Sequence, residues 1–274
     1  MSATPIPRTL TMSIYGDMDV SLIKEKPNNR KEVKTYSKLE TKLEDVIKFV
    51  KKEIKEGNQI FWVCPLIEES KKIDHESSVQ KFEYLNKLFP NDVGLLHGKI
   101  ESDDKEIILN KFLNKEYKIL VSTTIIEVGI DFPNANVIVI ENANKFGLSQ
   151  LHQLRGRVGR GSEQSYCVLM TGKKLSKGGK TRMETMVRTN DGFEISEADL
   201  KLRGPGDIMG TQQSGILDLK LADLAKDGQI VTLAREKARE LLDKDPAFKD
   251  PQHIHIANQL RKILKAKPNW SRIS

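Results

Sequence analysis

The sequence predicts a doubly wound α/β layer, and three observations carry that expectation. Short, continuous apolar runs recur at intervals, amphipathic helical patterns separate them, and the runs lack the polar alternation of strands with one wet face. Strands buried on both faces and joined by helices pack as a parallel sheet covered on two sides.

The first element is "KLETKLEDVIKFVKKEIKEG", in which Leu43, Val46, Ile47, Val50 and Ile54 fall on one helical stripe. Ser37 and Glu40 have the spacing of a capping box ahead of it, and Gly57 supplies a stop behind it. The run "QIFWVCPLI" follows as a strand. A helix in "SVQKFEYLNKLF" then precedes a strand in "VGLLHG", and a helix in "SDDKEIILNKFLN" precedes a strand in "YKILVSTT". "NVIVIEN" and "SYCVLM" complete five expected strands. Ligands of doubly wound sheets sit outside the carboxyl ends of the strands, which would turn "STTIIEVGID" and "QLRGRVGRG" toward one crevice.

Composition narrows the function classes. No apolar run approaches the ~18 residues of a membrane span. The opening "MSATPIPRTL" lacks the basic start and apolar core of a secretory signal, so a cytoplasmic location is expected. Cys64 and Cys167 each stand inside an apolar run, as small buried hydrophobes do. Of the formal net charge of +7, most is C-terminal: residues 173–274 hold 20 Lys and Arg against 14 Asp and Glu, and residues 1–172 hold 25 against 24. A surplus of that size suits either nucleic acid or a solvated face.

Outside the layer, "KEKPNNRKEV" has the composition of a linker and "RGPGDIMGTQQSG" that of a glycine-rich loop. "LADLAKDGQIVTLAREKARELL" reads as one long or broken helix. Asp250-Pro251 opens another, with Ile254, Ala257, Leu260 and Leu264 roughly on one side. The C-terminal extension is therefore expected to be mainly helical.

The chemistry concentrates in "QLRGRVGRG", where Arg155, Arg157 and Arg160 lie within six residues. Gly156 and Gly159 would let the backbone turn, and guanidinium forks suit phosphate oxygens. Spacing alone equally suits a basic turn in a surface loop. No metal site is expected: His253 and His255 stand two apart without a cysteine or acidic cluster. A phosphate-cradling G-x-x-x-x-G-K-[ST] is absent, since "KLSKGGKT" has Lys174 where the first glycine belongs. Glu141 at the end of "VIVIEN" is followed by Asn142, a poor magnesium ligand, so no acidic pair accompanies it.

Three ordered segments carry a resemblance that covers nearly the whole chain. "ILVSTTIIEVGIDFPNANVIVIENANKFGLSQLHQLRGRVGRG" resembles motifs V and VI of superfamily-two helicases, most closely the RecG family. "MSATPIPRTL" resembles motif III of that family, and "TNDGFEISEADLKLRGPGDIMGTQQSG" its segment for movement on duplex DNA. The resemblance implies a RecA-like second helicase lobe, a parallel sheet flanked by helices, over residues 35–172. It makes residues 1–34 a motif III remnant and inter-lobe linker, and residues 173–274 a coupling segment with a helical tail.

Site roles follow from the same resemblance. Arg157 and Arg160 match the arginines that meet a transferred phosphoryl group, and Gln153 matches the glutamine that senses nucleotide. Gly129 and Asp131 match positions beside ATP; Thr123, and with it His97 and Gly98, match positions beside DNA. Arg203 and Gln213 match the coupling segment, whereas Gln212 stands where relatives often carry Arg or Lys. ATP and Mg2+ are implied only together with a missing N-terminal lobe, expected as a separately encoded helicase half. The implied activity is ATP-driven translocation on branched or duplex DNA in repair and recombination. The alternative is a truncated, catalytically inactive remnant with at most weak DNA binding.

Overall fold

Successive residues of a strand point to opposite faces, and here both sets are apolar. The computed structural model describes residues 31–65, 71–123, 132–208 and 228–266. Its strands are β1 (Lys34–Leu39), β2 (Gln59–Val63), β3 (Val93–Leu96), β4 (Ile119–Ser122), β5 (Ala135–Ile140) and β6 (Tyr166–Thr171). They form one parallel sheet in the order β1-β6-β5-β2-β4-β3. From β2, Phe61 and Val63 enter one core cluster while Ile60 and Trp62 enter the other. β5 divides likewise, Ile138 and Ile140 against Val137 and Val139. Double-sided burial is why these strands read as unbroken apolar runs.

Helices cover both faces. α1 (Leu43–Lys55) and α2 (Lys71–Leu88) supply Val46, Ile47, Val50 and Leu85 to one cluster. The other face receives Leu109 and Phe112 from α3 (Ser102–Leu113) and Leu148, Leu151 and Leu154 from α4 (Leu148–Arg155). α5 (Lys177–Arg188) adds Met183 and Met186, and α6 (Gly192–Ile208) adds Ile195. The rings of Phe61, Phe112 and Phe132 close a triangle with centroids 5.3, 5.4 and 5.6 Å apart. Each such buried ring stabilises the fold by ~1.5–3 kcal/mol.

Three expectations are corrected. A sixth strand, β1, lies where a capping box was read: Ser37 pairs with Leu169 of β6, and the helix begins at Leu43 with no side-chain cap on Lys42. β1 is an edge strand whose residues other than Thr35 are exposed, so it has no apolar run to announce it. α2 begins at Lys71, a turn or more before the expected Ser78. Finally, α6 continues through Gly204-Pro205-Gly206 to Ile208, so the first part of the expected glycine-rich loop is helical. Gly57 is the left-handed residue, φ +90°, just past the end of α1, as its position in the sequence suggested.

The described residues fall into two compact units, the sheet with α1–α6 and a tail carrying α7 (Gly228–Lys244) and α8 (Ile254–Ala266). In the tail, Asp250 caps a 3-10 turn over Pro251–His253 by accepting from the Gln252 amide at 2.8 Å. Asp245 organises the same connection, accepting from the amides of Lys249 (2.8 Å) and Asp250 (2.9 Å) and pairing with His253 Nδ1 at 2.9 Å. His253 and the backbone donors hold the Asp245 carboxyl down at about 2, below its ordinary 3.8. A depressed carboxyl stabilises the fold above its unfolded value and ceases to do so as it protonates. The turn is therefore expected to loosen as pH falls from about 4 to about 2, and a carboxyl titration by NMR with and without Asp245→Asn checks this. Among the described residues no helix is long and apolar enough to cross a membrane.

Candidate functional site

The loop after α4 separates its three arginines by environment. Arg155 ends α4 and is 3% exposed. Its Nη1 donates to the carbonyls of Met186 and Thr189, each at 2.9 Å, and to Thr35 Oγ1 at 3.4 Å; Nη2 meets His152 Nδ1 at 3.1 Å. Sequence reasoning missed this residue as an anchor, because spacing could not distinguish a buried guanidinium from its exposed neighbours. Arg157 is half-buried, and among the described residues no carboxylate is paired with it. Burial first, and the Arg160 charge second, lower its guanidinium from the ordinary value. Arg160 is also half-buried, with Nε 3.5 Å from the Gly156 carbonyl. Gln153 is exposed on α4.

The backbone holds this loop in place. Gly156, Arg157 and Val158 donate in turn to the carbonyls of His152, Leu154 and Arg155 at 3.0, 3.0 and 3.3 Å. Val158, between the two outward arginines, is 3% exposed and belongs to the core, so the loop is plugged into the lobe by its middle residue. Gly159 has φ +77°, and a Cβ there would stand 2.9 Å from Val33 Cγ2. Gly156 is right-handed and meets only ordinary contacts. Gly159→Ala is accordingly expected to cost ~1–3 kcal/mol in a urea melt, with Gly156→Ala close to neutral.

The loop lies at the amino edge of the sheet, which corrects the expectation of one shared crevice at the carboxyl ends. Gly159 approaches Val33 and Ser165, which precede β1 and β6, and a Cβ on Gly161 would stand 3.1 Å from the carbonyl of Pro133, which precedes β5. A helix-to-strand connection in a parallel layer returns to the amino edge, and this loop is one. A cleft of about 170 Å³ opens beside it, lined by Lys31, Glu32, His152, Arg155, Gly159 and Asn190 among others.

The residues expected beside DNA lie at the other edge. Thr123 follows β4, is 3% exposed, and its amide is 3.4 Å from the Leu96 carbonyl. His97 and Gly98 follow β3; His97 is half-buried and its Nδ1 accepts from the Lys99 amide at 3.3 Å, while Gly98 is exposed. Gly129, Asp131 and Gln213 lie outside the described residues, as does the side chain of Arg203, whose backbone is in α6.

Two other readings gain a structural explanation. Ser176 of "KLSKGGKT" caps α5, its Oγ accepting from the Gly179 amide at 3.1 Å, so that segment opens a helix. Glu141 is engaged by Lys81 Nζ at 2.7 Å and by Trp62 Nε1 at 3.0 Å, which ties α2 to the ends of β2 and β5. Cys64 and Cys167 are free and buried, and burial pushes the Cys167 thiol up to about 12. Among the described residues no group of three or more His, Cys, Asp or Glu could hold a metal ion.

A parallel RecA-like sheet flanked by helices, carrying a G-R-x-G-R loop after α4, is the C-terminal lobe of a helicase motor. Residues 41–162 match the helicase conserved C-terminal domain, and residues 189–274 match the C-terminal part of domain 3 of the ATP-dependent DNA helicase RecG. The RecG helicase of Bacillus subtilis is 48% identical over 96% of this chain and 39% of its own length; that of Synechocystis is 49% identical over 90% and 30%. A solved structure of RecG bound to a three-way DNA junction is 45% identical, with a TM-score of 0.66 over 84% of this chain and 30% of that one. The yeast Dbp5 structure, bound to RNA and ADP BeF3, is 20% identical with a TM-score of 0.50 over 73% of this chain and 54% of that one; it shares the fold. The chain belongs to the RecG family and corresponds to its C-terminal portion. It spans 39% or less of the length of these two RecG helicases.

Proposed function

We propose that this chain supplies the second motor lobe and the duplex-coupling segment of an ATP-dependent DNA helicase acting on branched DNA in repair and recombination, in the cytoplasm. Residues 1–34 serve as motif III remnant and linker, 35–172 as the lobe, and 173–274 as coupling segment and tail. The names of the RecG relatives and the three-way junction in the similar structure support this reading. The observation that carries it is Arg157, a half-buried guanidinium with no carboxylate partner among the described residues, held beside Arg160 by the Val158 plug.

A triphosphate fits such a loop, because planar guanidinium forks on a fixed backbone match phosphate oxygens. Arg157 and Arg160 meet the charge that develops on the transferred phosphoryl group, Gln153 relays nucleotide state, and Gly129 with Asp131 contact the nucleoside. When bound, ATP supplies the free energy of phosphoryl transfer, with Mg2+ held by the acidic pair of a separately supplied first lobe. Fixed guanidinium groups need no reorganisation as that charge appears. At the opposite sheet edge Thr123, His97 and Gly98 meet the DNA backbone, and Arg203 and Gln213 transmit the motion.

The alternative reading is a catalytically inactive chain that binds DNA weakly. DNA-stimulated ATP turnover, measured on the purified chain alone and with the N-terminal portion of the Bacillus subtilis relative, separates the two. No turnover alone and clear turnover on mixing is the expected result. A mixture as inert as the chain alone supports the alternative instead.

A further inference from the structure

Arg155 has no role in the chemistry proposed above, yet its guanidinium meets four acceptors among the described residues. Its guanidinium is buried, and the acceptors it touches are neutral: two carbonyls at the end of α5, a threonine hydroxyl on β1, and an imidazole one turn earlier on α4. Those bonds lock the exit of α4 onto two other elements at the point where the arginine loop begins. Arginine has five donors and no acceptor, so the 3.1 Å contact requires His152 to accept through an unprotonated Nδ1. A proton on that nitrogen would set a donor against a donor, beside a guanidinium that stays charged.

We propose that Arg155 is a positioning residue for the arginine loop, and that its hold on the loop is released when His152 takes up a proton at Nδ1. The purpose of this hold rests on the reading of Arg157 and Arg160 as the phosphate-facing pair; the hold itself does not. The groups around the imidazole bear on its sign. Lys31 and Glu32 line the same cleft before β1, Asn190 lines it before α6, and the Cys167 thiol on β6 lies near the guanidinium. Arg188 at the end of α5 is paired with Glu194 of α6 at 2.6 Å. Glu32 favours a protonated imidazole, and the Arg155 guanidinium, 3.1 Å from Nδ1, opposes a proton on that nitrogen.

The test is hydrogen exchange on the purified chain, without nucleotide or DNA, so that its failure is distinct from failure of the helicase reading. The reporters are the amides of Gly156, Arg157 and Val158, with those of β2, β4 and β5 as internal reference. After correction for intrinsic exchange, wild-type protection of the reporters is expected to fall about tenfold between pH 7.5 and 5.5, the loss of roughly one hydrogen bond, while the reference strands stay constant. His152→Asn keeps an acceptor near the Nδ1 position but cannot titrate, and its reporters are expected to be protected equally at both pH values. Arg155→Lys cannot span the four acceptors and is expected to lose about tenfold at both. A pH-independent wild type, a His152→Asn variant that retains the wild-type profile, or an Arg155→Lys variant with full protection would each overturn the proposal. Should Arg155→Lys unfold the sheet as a whole, the His152→Asn profile decides.

Discussion

Arg160→Ala, assayed together with a nucleotide-holding first lobe, is expected to lower DNA-stimulated ATP turnover by ~10³- to 10⁵-fold, about 4–7 kcal/mol of transition-state stabilisation. The size follows from where the charge is needed. A guanidinium already aimed at the developing phosphoryl charge replaces water that would have to reorient, and alanine leaves that charge uncompensated in a dry interface. Arg160 is half-buried and outside the core clusters, so the variant should keep the parent's melting temperature and its affinity for the partner lobe. Arg160→Lys should recover only part of the rate, because a point charge cannot reproduce a planar fork. A turnover within a few-fold of wild type would remove Arg160 from the chemistry.

The second large effect lies in the core. Phe112→Ala is expected to destabilise the sheet unit by ~3–5 kcal/mol, read as a shift in urea midpoint at unchanged slope. Phe112 is fully buried, and its ring packs against Phe61 of β2 at 5.3 Å and Phe132 at 5.4 Å. Truncation removes one corner of the aromatic triangle, and the remaining rings cannot close the gap because β2 is fixed between β4 and β5. Phe112→Leu should recover much of the loss, since it keeps most of the buried carbon.

The central sheet was legible in the sequence because its strands are apolar on both faces: "QIFWV", "NVIVI" and "YCVLM" each announce burial without reference to anything else. β1 was not, for the converse reason. As an edge strand it buries only Thr35, so its sequence carries no apolar run, and pairing with β6 fixes it where local pattern suggested a helix cap. Propensity lost to tertiary pairing there. In α6 the outcome is similar: Gly204-Pro205-Gly206 favours a turn by composition, yet the helix that starts at Gly192 extends through it.

The candidate site was half legible. Arg157, Gly159 and Arg160 stood out by spacing, and the left-handed φ of Gly159 explains why a glycine is needed at that point while Gly156 is not. Their location was misjudged because the carboxyl-end rule was applied to a helix-to-strand connection, which topology returns to the amino edge. Arg155 was invisible as an anchor, since its partners are backbone carbonyls of residues 31 and 34 positions away. No side-chain pattern can encode such acceptors. Glu141 was read only as a failed metal ligand, and its engagement by Lys81 and Trp62 needs the fold to be seen.

The most direct measurement is a structure of the chain assembled with a relative's first lobe and a non-hydrolysable ATP analogue. Arg157 and Arg160 are expected to reach terminal phosphate oxygens at 2.7–2.9 Å, the range of charge-assisted hydrogen bonds, with the loop backbone unchanged around Val158. Guanidinium groups folded back onto carboxylates of their own lobe, with the phosphates met by other residues, would contradict it.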